Sequence, residues 1–125
     1  ISDVDAYQTP LGRIRLHADA RRLREENALF DFNRESDARE HSLEVVLPFL
    51  QHYLKDFELV PVVLGPSNPN AMADVLAPHL GPDTLLVVSS DLSHYPAYDD
   101  AVAADRAVVA AMSRLDPAER RRYRP

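Results

Sequence analysis

The apolar run from Thr84 to Val88 constrains the fold of this chain more than any other part of its sequence. Its residues are continuously apolar instead of alternating with polar ones, which is typical of a strand covered on both faces. Such strands occur in mainly parallel sheets, because the helices that connect parallel strands cover both faces of the sheet. The run therefore predicts an interior strand, with Val87 away from any solvent-exposed edge.

The rest of the chain alternates between helical and extended patterns. Between Ser42 and Leu54 the apolar residues recur at the spacing of one helix face, and Pro48 predicts a kink or a fresh start of this helix. The alternation predicts an α/β layered fold, with a mainly parallel sheet flanked by helices. The remaining predicted elements are helices over residues 18–29, 71–80 and 100–114, a helix start at 116–117, a strand with a defect at Pro61 over 59–64, a turn at 9–12 and a loop at 31–39.

Charge and composition narrow the class of protein. The formal net charge of -6 argues against a nucleic-acid partner, because phosphate-binding surfaces carry an excess of Lys and Arg. The Arg-rich stretch 120–124 is interpreted as a solvated helix face. With no Cys, the chain holds no disulfide or thiolate metal site. It also lacks an apolar run near the ~20 residues that cross a bilayer, so we expect a cytoplasmic protein with no membrane partner.

The length of 125 residues corresponds to one domain. The first residue is not Met, and Arg124-Pro125 follows no obvious finishing element. We therefore expect residues 1–125 to be a single domain that forms the central part of a longer one.

Residues with acid–base chemistry follow the predicted strand. Asp91 and His94 come after Ser89-Ser90, at the strand end where open α/β sheets bind their ligands. A carboxylate beside an imidazole is a candidate acid–base site, because histidine exchanges protons near neutral pH. In the alternative interpretation Asp91 or Ser90 caps a turn, and His94 packs beneath Tyr95.

A second candidate, His41, stands between Glu40 and Ser42 before a predicted helix. It could face a crevice, or its neighbours could simply serve the helix start. From spacing alone the two motifs fit a hydrolase, a metal site or no site, since a Gly-x-Ser-x-Gly elbow is missing and Asp91-x-x-His94 is a weak metal pattern. The other histidines are predicted to be surface residues: His17, His52 and His79.

Three motifs run from Val4 to Leu11, from Glu40 to Phe49 and from Val87 to Tyr95. Their sequences, order and spacing resemble the Memo-like family, found in bacteria and archaea as AmmeMemoRadiSam system protein B. The resemblance covers nearly the whole chain. It implies a fold similar to that of the class III extradiol ring-cleaving dioxygenases.

The resemblance also implies a pocket, of which only part can be placed in this sequence. In the family it is lined by two histidines from N-terminal loops, a histidine in a Ser-Ser-Asp-x-x-His segment and a cysteine from a C-terminal stretch. Asp91 and His94 match that segment, and His41 matches a Glu-His-Ser segment that is similar to the place of a second acid–base histidine in the dioxygenases. The other three residues have no counterpart here. We therefore assign no metal ligand to the chain, although a divalent metal such as iron or copper is compatible with the full-length protein.

Two functions stay open on this basis. In a dioxygenase-like enzyme, His94 would act as a base toward an acidic hydroxyl of the substrate, His41 would assist proton transfer and Asp91 would orient His94. In a non-catalytic adaptor, the same pocket would bind a peptide or a phosphate. In both, a small molecule or peptide is the expected partner, and we expect His41 and His94 to approach one another across a shared pocket.

Overall fold

The computed structural model describes residues 1–114. The chain divides into two compact units, Ile1–Ser89 and Ser90–Pro125. The predicted helix start at 116–117 and the Arg-rich stretch 120–124 lie outside the described residues. Within the described part, helices and a two-stranded sheet make the chain a mixed α/β protein.

A β-hairpin opens the first unit. Strands β1 (Ala6–Thr9) and β2 (Gly12–Arg15) pair antiparallel around the predicted turn, which confirms it. Gly12 has a φ of 127°, a conformation that residues with a Cβ rarely adopt. The inward face of β2 buries Ile14. Beyond the hairpin, an isolated parallel bridge joins Leu16 to Leu59. The segment 59–64 forms no strand, so the prediction of a strand there was wrong.

Helix α1 (Ala18–Glu26) confirms the first predicted helix, which ends three residues earlier than expected. His17 caps it, because the His17 Nδ1 accepts a hydrogen bond from the Asp19 backbone N–H at 3.2 Å. The carboxylate of Asp19 lies in the first turn, where the helix dipole favours negative charge. Sequence reasoning therefore placed the start of this helix correctly.

Helix α2 (Arg34–Arg39) occupies the segment predicted to be a loop, and that prediction was wrong. The Asn33 side chain caps α2 by accepting from the Ser36 backbone N–H at 2.9 Å, and Arg39 pairs with Glu35 one turn away at 2.9 Å. None of the α2 residues is buried. The apolar periodicity that reveals helices was absent because this helix has no buried face.

Helix α3 (Leu47–Leu54) is shorter than the helix predicted over 42–54. Residues 42–46 form turns, in which the Leu47 N–H donates to the Leu43 carbonyl at 3.0 Å. Pro48 lies in the first turn of α3, where its missing N–H would have no intrahelical partner anyway. The predicted fresh start at Pro48 is confirmed.

Two further predicted helices are present, and their observed ends lie within a few residues of the predicted ones. Helix α4 (Pro69–Leu76) continues into a short 3-10 helix (Ala77–His79) before Gly81 and Pro82, and α5 (Tyr98–Ser113) lies in the second unit.

The core of the first unit is small. Its buried centre consists of Leu23, Phe30 and Met72, against which Ile1, Val60, Val62, Val75 and Leu76 pack.

A polar contact links α1 to the 3-10 helix. Asp19 Oδ2 lies 2.9 Å from His79 Nδ1, and this hydrogen bond lowers the pKa of Asp19. His79 is partly buried there, with 29% of its side chain exposed, so the surface prediction holds fully only for His17 and His52. Burial of His79 is explained by its carboxylate partner, which satisfies one ring nitrogen.

The segment Thr84 to Val88 forms no strand in the described chain, and the prediction of an interior strand was wrong for it. Its four apolar side chains, from Leu85 to Val88, are all exposed. The Thr84 hydroxyl instead donates to the His79 carbonyl at 3.1 Å. A strand needs neighbours to pair with its N–H and C=O groups, and no described segment pairs with this one. The layered, mainly parallel sheet therefore stays a prediction.

None of the helices within residues 1–114 combines the length and the apolar character that a membrane crossing requires.

The exposed run can be tested with two matched Leu to Ala substitutions. Leu23→Ala should destabilise the first unit by about 2–5 kcal/mol, because Leu23 is 5% exposed and its truncation leaves a cavity. Leu86→Ala should change the unfolding free energy by less than about 0.5 kcal/mol, because Leu86 is 58% exposed. Denaturant unfolding measures both. An equal loss at Leu86 would show that the run is buried in solution.

Candidate functional site

The second unit brings two of the predicted site residues together. His94 Nε2 lies 2.8 Å from Asp91 Oδ2, which is the distance of a charge-assisted hydrogen bond. Both side chains are open to solvent, with 67% of His94 and 81% of Asp91 exposed. The pair is therefore available to a ligand.

The backbone between Ser89 and helix α5 has an unusual shape. Leu92 has a φ of 59° and Tyr95 a φ of 55°, both in the left-handed region that residues with a Cβ seldom adopt. The Ser90 hydroxyl accepts a hydrogen bond from the Leu92 N–H at 3.3 Å, so Ser90 does serve a turn. These bends place Asp91 and His94, three residues apart, on one side of the loop.

The packing alternative for His94 is not what the structure contains. The rings of His94 and Tyr95 meet edge to face, with centroids 6.4 Å apart. Tyr95 is fully exposed, so it gives no buried surface beneath which the imidazole could pack. The polar partner of His94 is Asp91.

The hydrogen bond from His94 lowers the pKa of Asp91 below its ordinary value of 3.8. Asp91 is therefore an anion at neutral pH. Because the pKa is lower in the folded state, the contact stabilises the fold above the ordinary pKa, and this contribution is lost as the pH falls through the folded value. The exposure of both groups keeps the contribution small.

The contact also determines which atom of His94 can act as a base. A carboxylate only accepts hydrogen bonds, so a neutral imidazole must donate from Nε2–H to Asp91. That leaves the lone pair on Nδ1 to accept a proton from a bound group. The imidazolium formed on proton transfer would keep its hydrogen bond to Asp91, whose negative charge stabilises it.

His41 lies in the first unit, in the segment between α2 and α3, and is 76% exposed. Its Nδ1 is 3.6 Å from Glu44 Oε2, close enough for attraction but too far for a hydrogen bond. Glu40 accepts from the backbone N–H groups of Ser42 at 2.7 Å and His41 at 2.9 Å, and the Ser42 bond is the larger cause of the lowered pKa of Glu40. Glu40 thus shapes the turn, as the structural interpretation of this motif required. Because His41 belongs to a different unit from His94, their convergence stays a prediction.

Sequence reasoning gave no role to Glu44, whose carboxylate lies 3.6 Å from the His41 imidazole. The spacing of three residues within a turn was the signal that could have revealed it.

The described residues do not fit a metal. Within 1–114, no three His, Asp or Glu side chains converge as metal ligands would. In the close His–Asp pair of the second unit, His94 Nε2 and Asp91 Oδ2 are hydrogen-bonded to each other and do not point toward a common metal position.

Comparison with known sequences identifies the family. The family model described as Memo-like protein matches residues 1–124. The chain belongs to the Memo-like family.

Archaeal relatives agree with this membership. A MEMO1 family protein of Methanopyrus kandleri is 33% identical over 121 residues, and one of Saccharolobus islandicus (strain Y.G.57.14) is 31% identical over 119 residues. A third, from Methanothermobacter thermautotrophicus, is 30% identical over 118 residues. The matches cover 88–90% of this chain but only 42–43% of each relative. This Memo-like chain thus spans about two-fifths of the length of these relatives, and no solved structure matches it significantly.

The Asp91–His94 contact can be tested by titration. In His94→Ala the pKa of Asp91 should rise toward its ordinary value of 3.8, because the hydrogen bond that lowers it is gone. The carboxyl carbon shift of Asp91, followed by NMR over acidic pH, measures this directly. His52→Ala, which removes an exposed histidine of α3, should leave the titration unchanged. Identical Asp91 curves in wild type and His94→Ala would contradict the contact.

Proposed function

We propose that this Memo-like chain supplies the acid–base pair of a reaction pocket similar to that of the extradiol dioxygenases. His94 is the base and removes a proton from an acidic hydroxyl of a small-molecule substrate through Nδ1. Asp91 orients the imidazole and stabilises its charged form. The observation that carries the proposal is the 2.8 Å contact of His94 Nε2 with Asp91 Oδ2.

The chemistry of the pair supports a base more than a simple polar surface. A histidine whose Nε2 is tied to a carboxylate has a defined orientation and one free lone pair, which is what proton abstraction requires. The pair is also exposed and lies on a backbone with two left-handed residues, Leu92 and Tyr95. Residues held in uncommon backbone conformations occur often at functional sites.

His41 is proposed to assist proton transfer in the same reaction. It is exposed, and the carboxylate of Glu44 lies 3.6 Å from its Nδ1, so a transferred proton on this ring would also be stabilised. The pocket and the reaction are proposed for the full-length protein, because the matched relatives are more than twice as long as this chain.

In the adaptor alternative a peptide remains a compatible ligand, whereas the charge of the Asp91–His94 pair argues against a phosphate ligand. A phosphate site needs excess positive charge. Protonated His94 next to ionised Asp91 has no net charge, and neutral His94 leaves the pair negative. A neutral or weakly acidic hydroxyl is a better partner for such a pair than a phosphate dianion.

Nitrocatechol tests the base directly, because the visible absorption of this ring diol moves to longer wavelength when a hydroxyl ionises. Free nitrocatechol has already lost one hydroxyl proton near neutral pH, so the shift to follow is that of its second hydroxyl. Bound to the full-length gene product at neutral pH, this second hydroxyl should ionise in the wild type. In His94→Ala most of this spectral shift should be lost, while the melting temperature stays nearly unchanged because His94 is exposed. Visible titration and thermal unfolding measure the two quantities.

The matched control is His52→Ala, which should behave like the wild type because His52 lies on α3 of the first unit and contacts Tyr53. Equal spectral shifts in wild type and His94→Ala would contradict the role of His94 as the base. Binding of a peptide or of inorganic phosphate that depends on His94, without ionisation of the second nitrocatechol hydroxyl, would favour the adaptor.

A further inference from the structure

Helix α5 contacts the loop that carries the acid–base pair at one polar point. Asp105, on the second turn of α5, accepts two hydrogen bonds from Ser93. The Ser93 backbone N–H donates to Oδ1 at 3.2 Å, and the Ser93 hydroxyl donates to Oδ2 at 3.1 Å. Both carboxylate oxygens of Asp105 are therefore occupied by a single residue of the loop.

Ser93 is the residue immediately before His94, and it lies between the two left-handed residues Leu92 and Tyr95. Left-handed backbone is unfavourable for leucine and tyrosine, so the surrounding contacts must hold it. Within the loop, the Leu92 N–H reaches the Ser90 hydroxyl. The two bonds to Asp105 hold the loop to a helix.

The placement of these bonds decides what they control. Ser93 is partly buried against Asp105, whereas Asp91 and His94 on either side are exposed. The backbone is thus fastened at Ser93, and the two side chains that meet in solvent extend from the residues around it. Without this attachment, few interactions would keep Asp91 and His94 at one distance, because an exposed ion pair alone is weak.

We propose that Asp105 is a positioning residue for the Asp91–His94 pair, acting through Ser93. Asp105 itself does not touch the substrate. The catalytic consequence of this positioning rests on the proposed function, whereas the positioning itself does not. Its carboxylate fixes the left-handed turn on both sides of Ser93, and the turn fixes the ring of His94 against Asp91.

Three variants of the full-length protein test this. Asp105→Ala removes both acceptors and should abolish the NOEs between the Asp91 and His94 side chains. It should also weaken the intraresidue amide-to-Hα NOEs of Leu92 and Tyr95, which are strong only in left-handed backbone. Asp105→Asn should preserve these signals, because its amide oxygen accepts from the Ser93 N–H and its NH₂ donates to the Ser93 hydroxyl. Asp100→Ala, at an exposed position in the first turn of α5, is the matched control and should match the wild type.

The nitrocatechol spectrum then separates the two proposals. Asp105→Ala should lose most of the spectral shift, and Asp105→Asn should restore it. If the wild type shows no shift at all while the NOEs still depend on Asp105, the proposed function fails and the positioning role stands. If Asp105→Ala keeps the Asp91–His94 NOEs, the positioning role is overturned.

Should Asp105→Ala not fold, Ser93→Ala decides the matter by NOE alone. This variant removes one of the two bonds to Asp105, that of the hydroxyl, and leaves the bond of the backbone N–H. Reduced Asp91–His94 NOEs would support positioning through Ser93, and NOEs of wild-type intensity would overturn it.

Discussion

The hydrogen bond between the Asp91 carboxylate and the His94 imidazole determines what the second unit can do chemically. It defines which ring nitrogen is free, lowers the pKa of Asp91 and gives the imidazolium a counter-charge. Burial does not enforce it, since both groups face solvent. The bond depends instead on the local backbone, which bends into the left-handed region at Leu92 and Tyr95.

The first unit illustrates a different constraint, which is that a strand requires partners. In the hairpin β1–β2 the backbone N–H and C=O groups of each strand pair with those of the other strand. The apolar segment 84–88 has no such neighbour among residues 1–114 and stays exposed and irregular. Its composition suits a covered strand, and the relatives are more than twice as long as the matched region. A segment of this kind left exposed is a candidate for pairing with another strand.

Local sequence signals were enough for several elements of the fold. The start of α3 followed from Pro48, whose ring fits only the first turn of a helix, and the start of α1 from Asp19. The pairing of Asp91 with His94 was also accessible, because they stand three residues apart in one loop. These features depend on residues close together in sequence.

Features that depend on tertiary contacts were not accessible. Helix α2 has no buried face and therefore no apolar periodicity. The hydrogen bond of His79 to Asp19 joins residues 60 positions apart in sequence. The attachment of Ser93 to Asp105 had no sequence signal beyond an acidic residue in a helix. The prediction of a strand at 84–88 was wrong because the sequence of this segment indicates burial, whereas its apolar side chains are exposed in the described part of the chain.

The central claim is that the Asp91–His94 pair and His41 serve one pocket, and a crystal structure of the full-length gene product tests it most directly. The quantity to measure is the distance between the imidazole rings of His41 and His94. Ligand pockets of ordinary size are roughly 12 Å across or less, so the rings should lie within ~12 Å of one another, with Asp91 still bonded to His94. Rings well beyond ~12 Å apart could not reach one small ligand, and that result would contradict the claim.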